Sequence, residues 1–148
     1  MKSRGAKLGI EVRNSSIHGR GLFATDHIPA GIMIAEYVGE IITWQEGLRR
    51  EDTGLGDYLF DVDGLFMIDG AGLETDGARV NHSCSPNCDI DILESRVFII
   101  SLRDISPGEE LTFDYNFDPA CAKGEDPRKA FPCRCGTPNC RGTMVDLG

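Results

Sequence analysis

Two stretches of the chain decide its fold: Asn81-His82-Ser83-Cys84-Ser85-Pro86-Asn87-Cys88 and Glu109-Glu110-Leu111-Thr112-Phe113-Asp114-Tyr115. The first is rich in Ser, Pro and Asn, which are typical of turns. The second alternates apolar and polar side chains, which is typical of a strand. Asn81 with His82, and Tyr115 at the strand end, are polar clusters that could carry chemistry, although each also fits a structural role. Spacing along the chain does not by itself bring them together.

Outward from these stretches, the chain consists of short strand candidates separated by turns. The strand candidates are Leu8–Val12, Leu22–Ala24, Ile32–Val38 and Arg96–Leu102, with Tyr58–Phe60 and Leu65–Ile68 as a hairpin. Turns are indicated at His18–Gly21, Ile28–Gly31 and Ser106–Glu109. The best helix candidate is Trp44–Arg50, with Thr43 as its N-cap. We therefore expect a mainly β fold with few short helices.

A change of composition after Asn116 indicates how the chain is organised. We expect residues 1–7 to be a flexible N-terminus and residues 8–118 to form the main domain. Residues 119–128 are expected to be a linker, because Pro, Lys and Asp are frequent there. Residues 129–145 form a compact tail that contains Cys133, Cys135 and Cys140.

Composition and charge limit the classes of function. The chain has 148 residues, of which 41% are hydrophobic and 26% charged, as in one globular domain. It has no apolar run near the roughly 18 residues of a membrane helix, and its N-terminus lacks the apolar core of a signal peptide. The net charge is −9, and residues 36–76 hold eleven acids against Arg49 and Arg50. We expect an intracellular protein with a basic protein partner, no direct nucleic-acid binding and no membrane association.

The six cysteines favour thiols or metal ligands over disulfides, because the chain carries no export signal. Three of them form a C-x-C-x4-C pattern whose intervening Gly and Pro bend the chain toward one centre. A structural zinc site needs a fourth ligand. The candidates are Cys84, Cys88, Cys121 and, more weakly, His82. Reduced, unliganded thiols are the alternative, and the tight spacing favours zinc.

Taken in order, these motifs resemble those of the SET-domain protein lysine methyltransferases, nearest the trithorax-like and related branches that carry only a post-SET tail. The matching stretches are Ile17–Phe23, Ile34–Glu40, Tyr58–Phe60, Arg79–Asn87, Gly108–Tyr115 and the C-x-C-x4-C tail. Together they span about residues 8–145. No Cys-rich cluster precedes residue 8, so a pre-SET zinc module is not expected.

The resemblance implies a β-clip fold of small curved sheets, in which the Asn81–Cys84 segment and the segment after the Leu111–Tyr115 strand pass through each other as a pseudoknot. Asn81 and His82 would then lie beside Tyr115. The resemblance also implies that Cys84 supplies the fourth zinc ligand beside the three tail cysteines, which leaves the other cysteines as spare thiols. The tail would be a zinc-bound post-SET segment.

The same resemblance implies a site for S-adenosylmethionine and a channel for the substrate lysine. The residues expected to bind the cofactor are His18, Gly19, Arg20, Tyr58, Asn81, His82 and Arg134. Asn81 would offer an amide donor and acceptor to the amino-acid end of the cofactor, and Arg20 would meet its carboxylate. Tyr37 and Phe113 would line the channel, and Tyr115 would be the catalytic residue.

Methyl transfer requires the neutral lysine amine, although the pKa of a free lysine is about 10.4. A narrow apolar channel lowers that pKa, and the positive charge of the cofactor acts in the same direction. A strong general base is therefore not required. Phe113 occupies the Phe/Tyr switch position of the family, and a Phe there leaves space for added methyl groups. We expect di- or trimethylation rather than monomethylation alone.

The implied function is methylation of lysine in histone or histone-like basic tails, with activating partner subunits as a further expectation. The alternatives are a catalytically idle SET-like scaffold that binds a peptide and keeps structural zinc, and a zinc-thiolate redox protein that uses Cys88 and Cys121. A nuclear, chromatin-bound location is expected for a eukaryotic source, and a cytoplasmic or host-directed one for a microbial source.

Overall fold

Short strands dominate the computed structural model, which describes residues 9–53, 59–62, 64–70 and 77–147. The strands are β1 (Ile10–Asn14), β2 (Arg20–Ala24), β3 (Met33–Tyr37), β4 (Glu40–Thr43), β5 (Leu59–Asp61), β6 (Phe66–Asp69), β7 (Asn81–His82), β8 (Cys88–Leu93), β9 (Arg96–Ser101) and β10 (Thr112–Phe113). The α-helices are α1 (Trp44–Asp52) and α2 (Pro127–Ala130), and 3-10 turns occupy Gly77–Arg79 and Pro119–Ala122. The expectation of a mainly β chain with few short helices is confirmed. In these residues, no helix combines the length and the apolar character that crossing a membrane requires.

The strands form small sheets, each of two or three strands. Antiparallel pairing joins β1 to β2, orders β3–β9–β8 in a second sheet and orders β4–β6–β5 in a third. The predicted hairpin is present as β5 and β6, with Phe60 opposite Ile68. Sequence patterning did not predict β4 or β8, which extend two of these sheets.

The two stretches singled out by the sequence meet as a parallel pair, β7 beside β10. Asn81 lies opposite Thr112, and His82 lies opposite Phe113. Asn87 secures the pair, because its side chain accepts a hydrogen bond from Thr112 N–H (2.9 Å) and donates one to a carbonyl just before β10 (2.9 Å). Asn87 is only 4% exposed, so these hydrogen bonds are shielded from water. This side-by-side pairing is the juxtaposition that the predicted pseudoknot requires.

The main hydrophobic core lies directly behind the β7–β10 pair. Its buried members include Leu22, Ile28, Val80, Ile99, Ile105, Leu111 and Phe113. Fully burying a side chain of this kind stabilises the fold by about 1.5–3 kcal/mol. Because Val80 precedes β7 and Leu111 precedes β10, the core fixes the position of both strands.

Helix α1 begins as the sequence predicts, with Thr43 accepting a hydrogen bond from Glu46 N–H (3.2 Å). Arg50 fastens the helix to the β4–β6–β5 sheet. Its guanidinium donates to Asp69 (2.6 Å) and to Glu46 (2.8 Å). Asp69 is 6% exposed, so Arg50 neutralises a buried carboxylate.

The tail folds back onto the main domain. Phe117 N–H donates to the carbonyl of Met144 (3.1 Å), and Met144 N–H donates to the carbonyl of Phe131 (2.9 Å). Asp126 caps α2 at its start. The predicted linker, residues 119–128, therefore contains a 3-10 turn and the first residues of α2.

Candidate functional site

Four aromatic rings form a row beside the β7–β10 pair. The distances between ring centroids are 5.3 Å for Tyr37 and Phe60, 6.5 Å for Phe60 and Phe113, and 4.8 Å for Phe113 and Tyr115. Tyr37 and Phe113, the two predicted channel residues, are 7% and 4% exposed. Such a row can exclude water from an aliphatic side chain and attract a cationic group to the ring faces.

Tyr115 is held at the end of this row by two hydrogen bonds to the other stretch. Its hydroxyl donates to the carbonyl of Val80 (2.7 Å), and its N–H donates to Nδ1 of His82 (3.0 Å). The His82 and Tyr115 ring centroids are 5.3 Å apart, edge to face. The phenol proton is therefore committed to the protein.

His82 is a neutral, positioning side chain in this arrangement. Burial lowers the pKa of His82 to about 4, although the Asp114 carboxylate, 3.6 Å from Nδ1, favours the charged form. Because Nδ1 accepts from Tyr115 N–H, the ring proton resides on Nε2, which lies 3.5 Å from Sγ of Cys84. His82 thus connects Tyr115 to one of the cysteines predicted to bind zinc.

Asn81 is connected to the predicted cofactor turn. Its Nδ2 donates to the carbonyl of His18 (3.0 Å) and to Oε2 of Glu110 (2.9 Å). Both amide hydrogens are used within the protein, so only Oδ1 of Asn81 remains for a ligand. Of the donor and the acceptor that the sequence predicted for a ligand, the side chain of Asn81 therefore offers the acceptor.

The turn itself is open to solvent. His18, Gly19 and Arg20 are all exposed, and Gly19 has a φ of +46°. A positive φ favours glycine, which also allows a ligand to approach the backbone closely. Of the other residues predicted to bind the cofactor, Tyr58 lies outside the described residues, and Arg134 is exposed in the tail between two cysteines.

Glu110 belongs to the hydrogen-bond network around Asn81, and the sequence did not identify it as a site residue. Its carboxylate accepts hydrogen bonds from Ser15 Oγ (2.9 Å to each oxygen) and from Asn81 Nδ2 (2.9 Å). It lies within the second quoted stretch, which is the signal that could have identified it. One of two consecutive Glu residues before a strand resembles an ordinary surface charge until the fold is known.

The structure brings together the four cysteines predicted to bind zinc. This cysteine cluster comprises Cys84, Cys133, Cys135 and Cys140, whose sulfurs all lie within 4.8 Å of one another. Zn–S bonds of about 2.3 Å place the sulfurs of a tetrahedral site about 3.8 Å apart. Backbone N–H groups of the tail approach three of the sulfurs at 3.4 Å. Burial raises the pKa of Cys84 and of Cys133. For Cys135, burial is outweighed by hydrogen bonds, chiefly with Thr137, which lower its pKa to about 6. A bound cation would stabilise the thiolate form of all four cysteines. The donor set fits a structural zinc ion.

The other ligand candidates do not join the cluster among the described side chains. Cys88 is 1% exposed in the hydrophobic core, and burial raises its pKa to about 12. His82 contacts Cys84 rather than the cluster centre. The side chain of Cys121 lies outside the described part of the chain.

The tail contacts the catalytic candidate through two further connections. The Arg141 guanidinium donates two hydrogen bonds to the Asp114 carboxylate, at 2.8 and 3.1 Å. The Phe117 ring lies 5.5 Å from that of Tyr115 and 5.3 Å from that of Phe131. Tail residues on either side of the cysteine cluster, Phe131 and Arg141, thereby contact neighbours of Tyr115.

Comparison with known proteins agrees with this geometry. A family model described as the SET domain matches residues 19–116. A histone-lysine N-methyltransferase of Saccharomyces cerevisiae, H3 lysine-4 specific, is 42% identical over 139 residues, which cover 88% of this chain and 12% of that protein. The histone-lysine N-methyltransferase trithorax of Drosophila virilis is 42% identical over 141 residues (89% of this chain, 4% of that protein). Histone-lysine N-methyltransferase 2D of Homo sapiens is 36% identical over 146 residues (93% and 2%). The chain therefore spans 12% or less of the length of these relatives.

Proposed function

The chain belongs to the SET-domain family, and from this membership we propose that it is an S-adenosylmethionine-dependent protein lysine N-methyltransferase. One observation carries the proposal: Tyr115, Asn81 and His82 converge at the end of an aromatic row. Methyl transfer needs a dry channel for the amine, an acceptor to orient it and an adjoining site for the methyl donor. The aromatic row is suited to be the channel, Tyr115 to orient the amine, and Asn81 with His82 to adjoin the donor site.

The aromatic row forms the lysine channel. Tyr37, Phe60 and Phe113 surround the aliphatic part of the substrate and desolvate its ammonium, which lowers the pKa of the amine. Free lysine, with a pKa of about 10.4, is neutral in about one molecule in a thousand at pH 7.4. Desolvation removes much of this penalty, so a general base is not required.

Tyr115 is the catalytic residue in this proposal. Its hydroxyl donates to the carbonyl of Val80, so the phenol ring and its oxygen are fixed beside the channel. Their role is to orient the amine on the line of attack, and alignment of this kind supplies a large part of the rate in bimolecular transfers.

The donor site is the open turn together with the end of β7. S-adenosylmethionine, when bound, supplies a methyl group activated by its sulfonium. His18, Gly19 and Arg20 contact it from the turn, while Oδ1 of Asn81 accepts from its α-ammonium group. His82, Tyr58 and Arg134 complete the set of residues proposed to bind it.

The cysteine cluster holds a structural zinc ion, for which its four sulfurs are suitable ligands. Zinc fixes residues 133–140 to Cys84, next to β7. Its function is to keep the tail folded against the site, where Arg141 and Phe131 reach the neighbours of Tyr115.

The substrate is a lysine in a basic protein segment, and a histone H3 tail is the first candidate, because relatives are named as specific for H3 lysine 4. The net charge of −9 favours a basic peptide. Phe113 has no hydroxyl to hold the amine, which supports di- or trimethylation. A chromatin location follows from the same substrate.

The need for a partner subunit is also part of this proposal. Exposed apolar side chains of the β4–β6–β5 sheet, Ile41 (67%) and Phe66 (47%), are consistent with it.

The test is methyl transfer from labelled S-adenosylmethionine by the full, zinc-loaded chain. The acceptors are an H3 tail peptide, the same peptide with lysine 4 replaced by arginine, and a panel of other basic proteins. Tyr115→Phe is the control for chemistry, and we expect it to lose at least about 100-fold in rate. Cofactor binding without transfer to any acceptor, in wild type and variant alike, would instead identify an idle scaffold.

A further inference from the structure

We propose that Glu110 is a positioning residue that orients the Asn81 carboxamide and closes the turn at His18 for the methyl donor. This inference rests on the function proposed above. Glu110 touches neither substrate nor cofactor in it. It acts through two other residues, Asn81 and Ser15, which approach its carboxylate from separate segments of the chain.

The backbone of Glu110 is fixed before its side chain is considered. Glu110 forms an isolated antiparallel bridge with Phe23, and the next N–H, of Leu111, donates to the carbonyl of Leu22 (2.8 Å). Its own carbonyl accepts from Nδ2 of Asn87 (2.9 Å). Its carboxylate is therefore presented at one defined place, between β2 and β7.

The first consequence concerns the orientation of Asn81. Its Nδ2 group faces two acceptors, the Glu110 carboxylate at 2.9 Å and the His18 carbonyl at 3.0 Å. A rotation of the amide by half a turn would bring Oδ1 against both acceptors and lose both hydrogen bonds. Because Asn81 is 7% exposed, water cannot readily replace them. Glu110 thereby keeps Oδ1 of Asn81 free as an acceptor for an ammonium group.

The second consequence concerns the turn. Ser15 Oγ donates to Glu110 and accepts from the N–H groups of Ile17 (2.9 Å) and His18 (3.4 Å). Ser15 N–H also donates to the carbonyl of Gly19 (2.8 Å). One carboxylate thus holds the turn from two directions, through Ser15 and through Asn81.

The Glu110 carboxylate lies so close to the backbone of Gly21 that a side chain at residue 21 would collide with it. A Cβ added at Gly21 would lie 2.1 Å from Oε2 of Glu110 and 3.1 Å from Nδ2 of Asn81. Both distances are shorter than normal contacts, so any larger residue would displace the Glu110–Asn81 hydrogen bond. Gly21→Ala is therefore an independent way to disturb the same arrangement without altering any polar group.

The experiment compares two ligands by calorimetry on the full, zinc-loaded chain: S-adenosylhomocysteine and its analogue without the α-amino group. In the wild type, we expect the amino group to strengthen binding by about tenfold, or about 1.4 kcal/mol. Glu110→Ala should weaken binding of both ligands through the turn, and it should weaken S-adenosylhomocysteine by about tenfold more than the analogue, so the ratio between the two ligands falls toward one. Gly21→Ala should produce the same pattern.

Two matched variants complete the design. Glu110→Gln can still accept from Asn81 and should keep most of the ratio. Glu109→Ala removes the neighbouring carboxylate, which pairs with Arg103 instead, and should behave as wild type. If Glu110→Ala weakens both ligands equally and the ratio persists, Glu110 has a merely structural role and the inference is wrong. If the wild type binds neither ligand, the proposed function itself is wrong.

Discussion

The pair formed by Arg141 and Asp114 offers a direct measurement of how firmly the tail is attached to the site. Two hydrogen bonds join the side chains at 2.8 and 3.1 Å, and only 22% and 23% of these side chains are exposed. The pKa of Asp114 is lowered: burial opposes the shift, and the hydrogen bonds from Arg141 outweigh it. Hydrogen bonds to charged groups are worth about 1.5–3 kcal/mol when shielded, and exposed ion pairs about 0–1 kcal/mol. For this intermediate exposure, we expect a coupling energy of about 1–2 kcal/mol.

The measurement is a double-mutant cycle in urea on the zinc-loaded chain, with Arg141→Gln, Asp114→Asn and both together. Each single variant should lower the free energy of unfolding by about 1–2 kcal/mol, and the second substitution should add little to the first. Release of zinc to a chelator should become faster in all three variants, since the tail loses one of its attachments.

The matched control is the pair of Arg103 and Glu109, which has a similar geometry (2.9 and 3.3 Å) but side chains that are 54% and 33% exposed. Its coupling should be below about 0.5 kcal/mol. Equal coupling energies for the two pairs would refute the argument that partial burial strengthens the contact between the tail and the site.

Three further predictions concern single residues. Phe113→Tyr should shift the products toward monomethyl-lysine in mass spectra of a methylated peptide, and an unchanged distribution would contradict the assigned channel position. Cys88 is 1% exposed and burial raises its pKa to about 12, so peptide mapping should find it unalkylated in the folded protein at pH 8 and labelled after denaturation; labelling in the folded state would contradict its place in the core. Gly77→Ala should lower the free energy of unfolding in urea by about 1–3 kcal/mol, because its Cβ would lie 2.4 Å from the carbonyl oxygen of Glu36; wild-type stability would show that the backbone yields there at no cost.

Local patterns in the sequence were sufficient for several elements. The Thr43 cap and the turn residues between Phe60 and Leu65 depend on neighbours within a few residues, and the structure has the helix and the hairpin there. The missed strand β8, Cys88–Leu93, alternates acidic and apolar residues, yet no element was predicted there. Pairing with β9 along all six residues decided its conformation, and the position of that partner depends on the whole fold.

The site itself could not be derived from local patterns. Asn81 and Thr112 are far apart in the sequence, so no local pattern predicts that they pair. Only the resemblance to a family indicated this contact. Glu110 illustrates the limit, since its importance comes from Ser15 and Asn81, which reach it from two other segments. Metal ligands were easier to predict, because the tail supplies three sulfurs within a short span.

The parallel contact between β7 and β10 has a consequence for biosynthesis and breakdown. Every chemical group of the channel is present in an unfolded chain, yet none is in register until the later strand has docked beside the earlier one. Pairings between distant segments form slowly, because the entropy cost of closing the loop is incurred before the new contacts stabilise the chain. A nascent chain therefore completes the proposed channel in one late event, and loss of the β7–β10 contact would dismantle it without removing a single side chain.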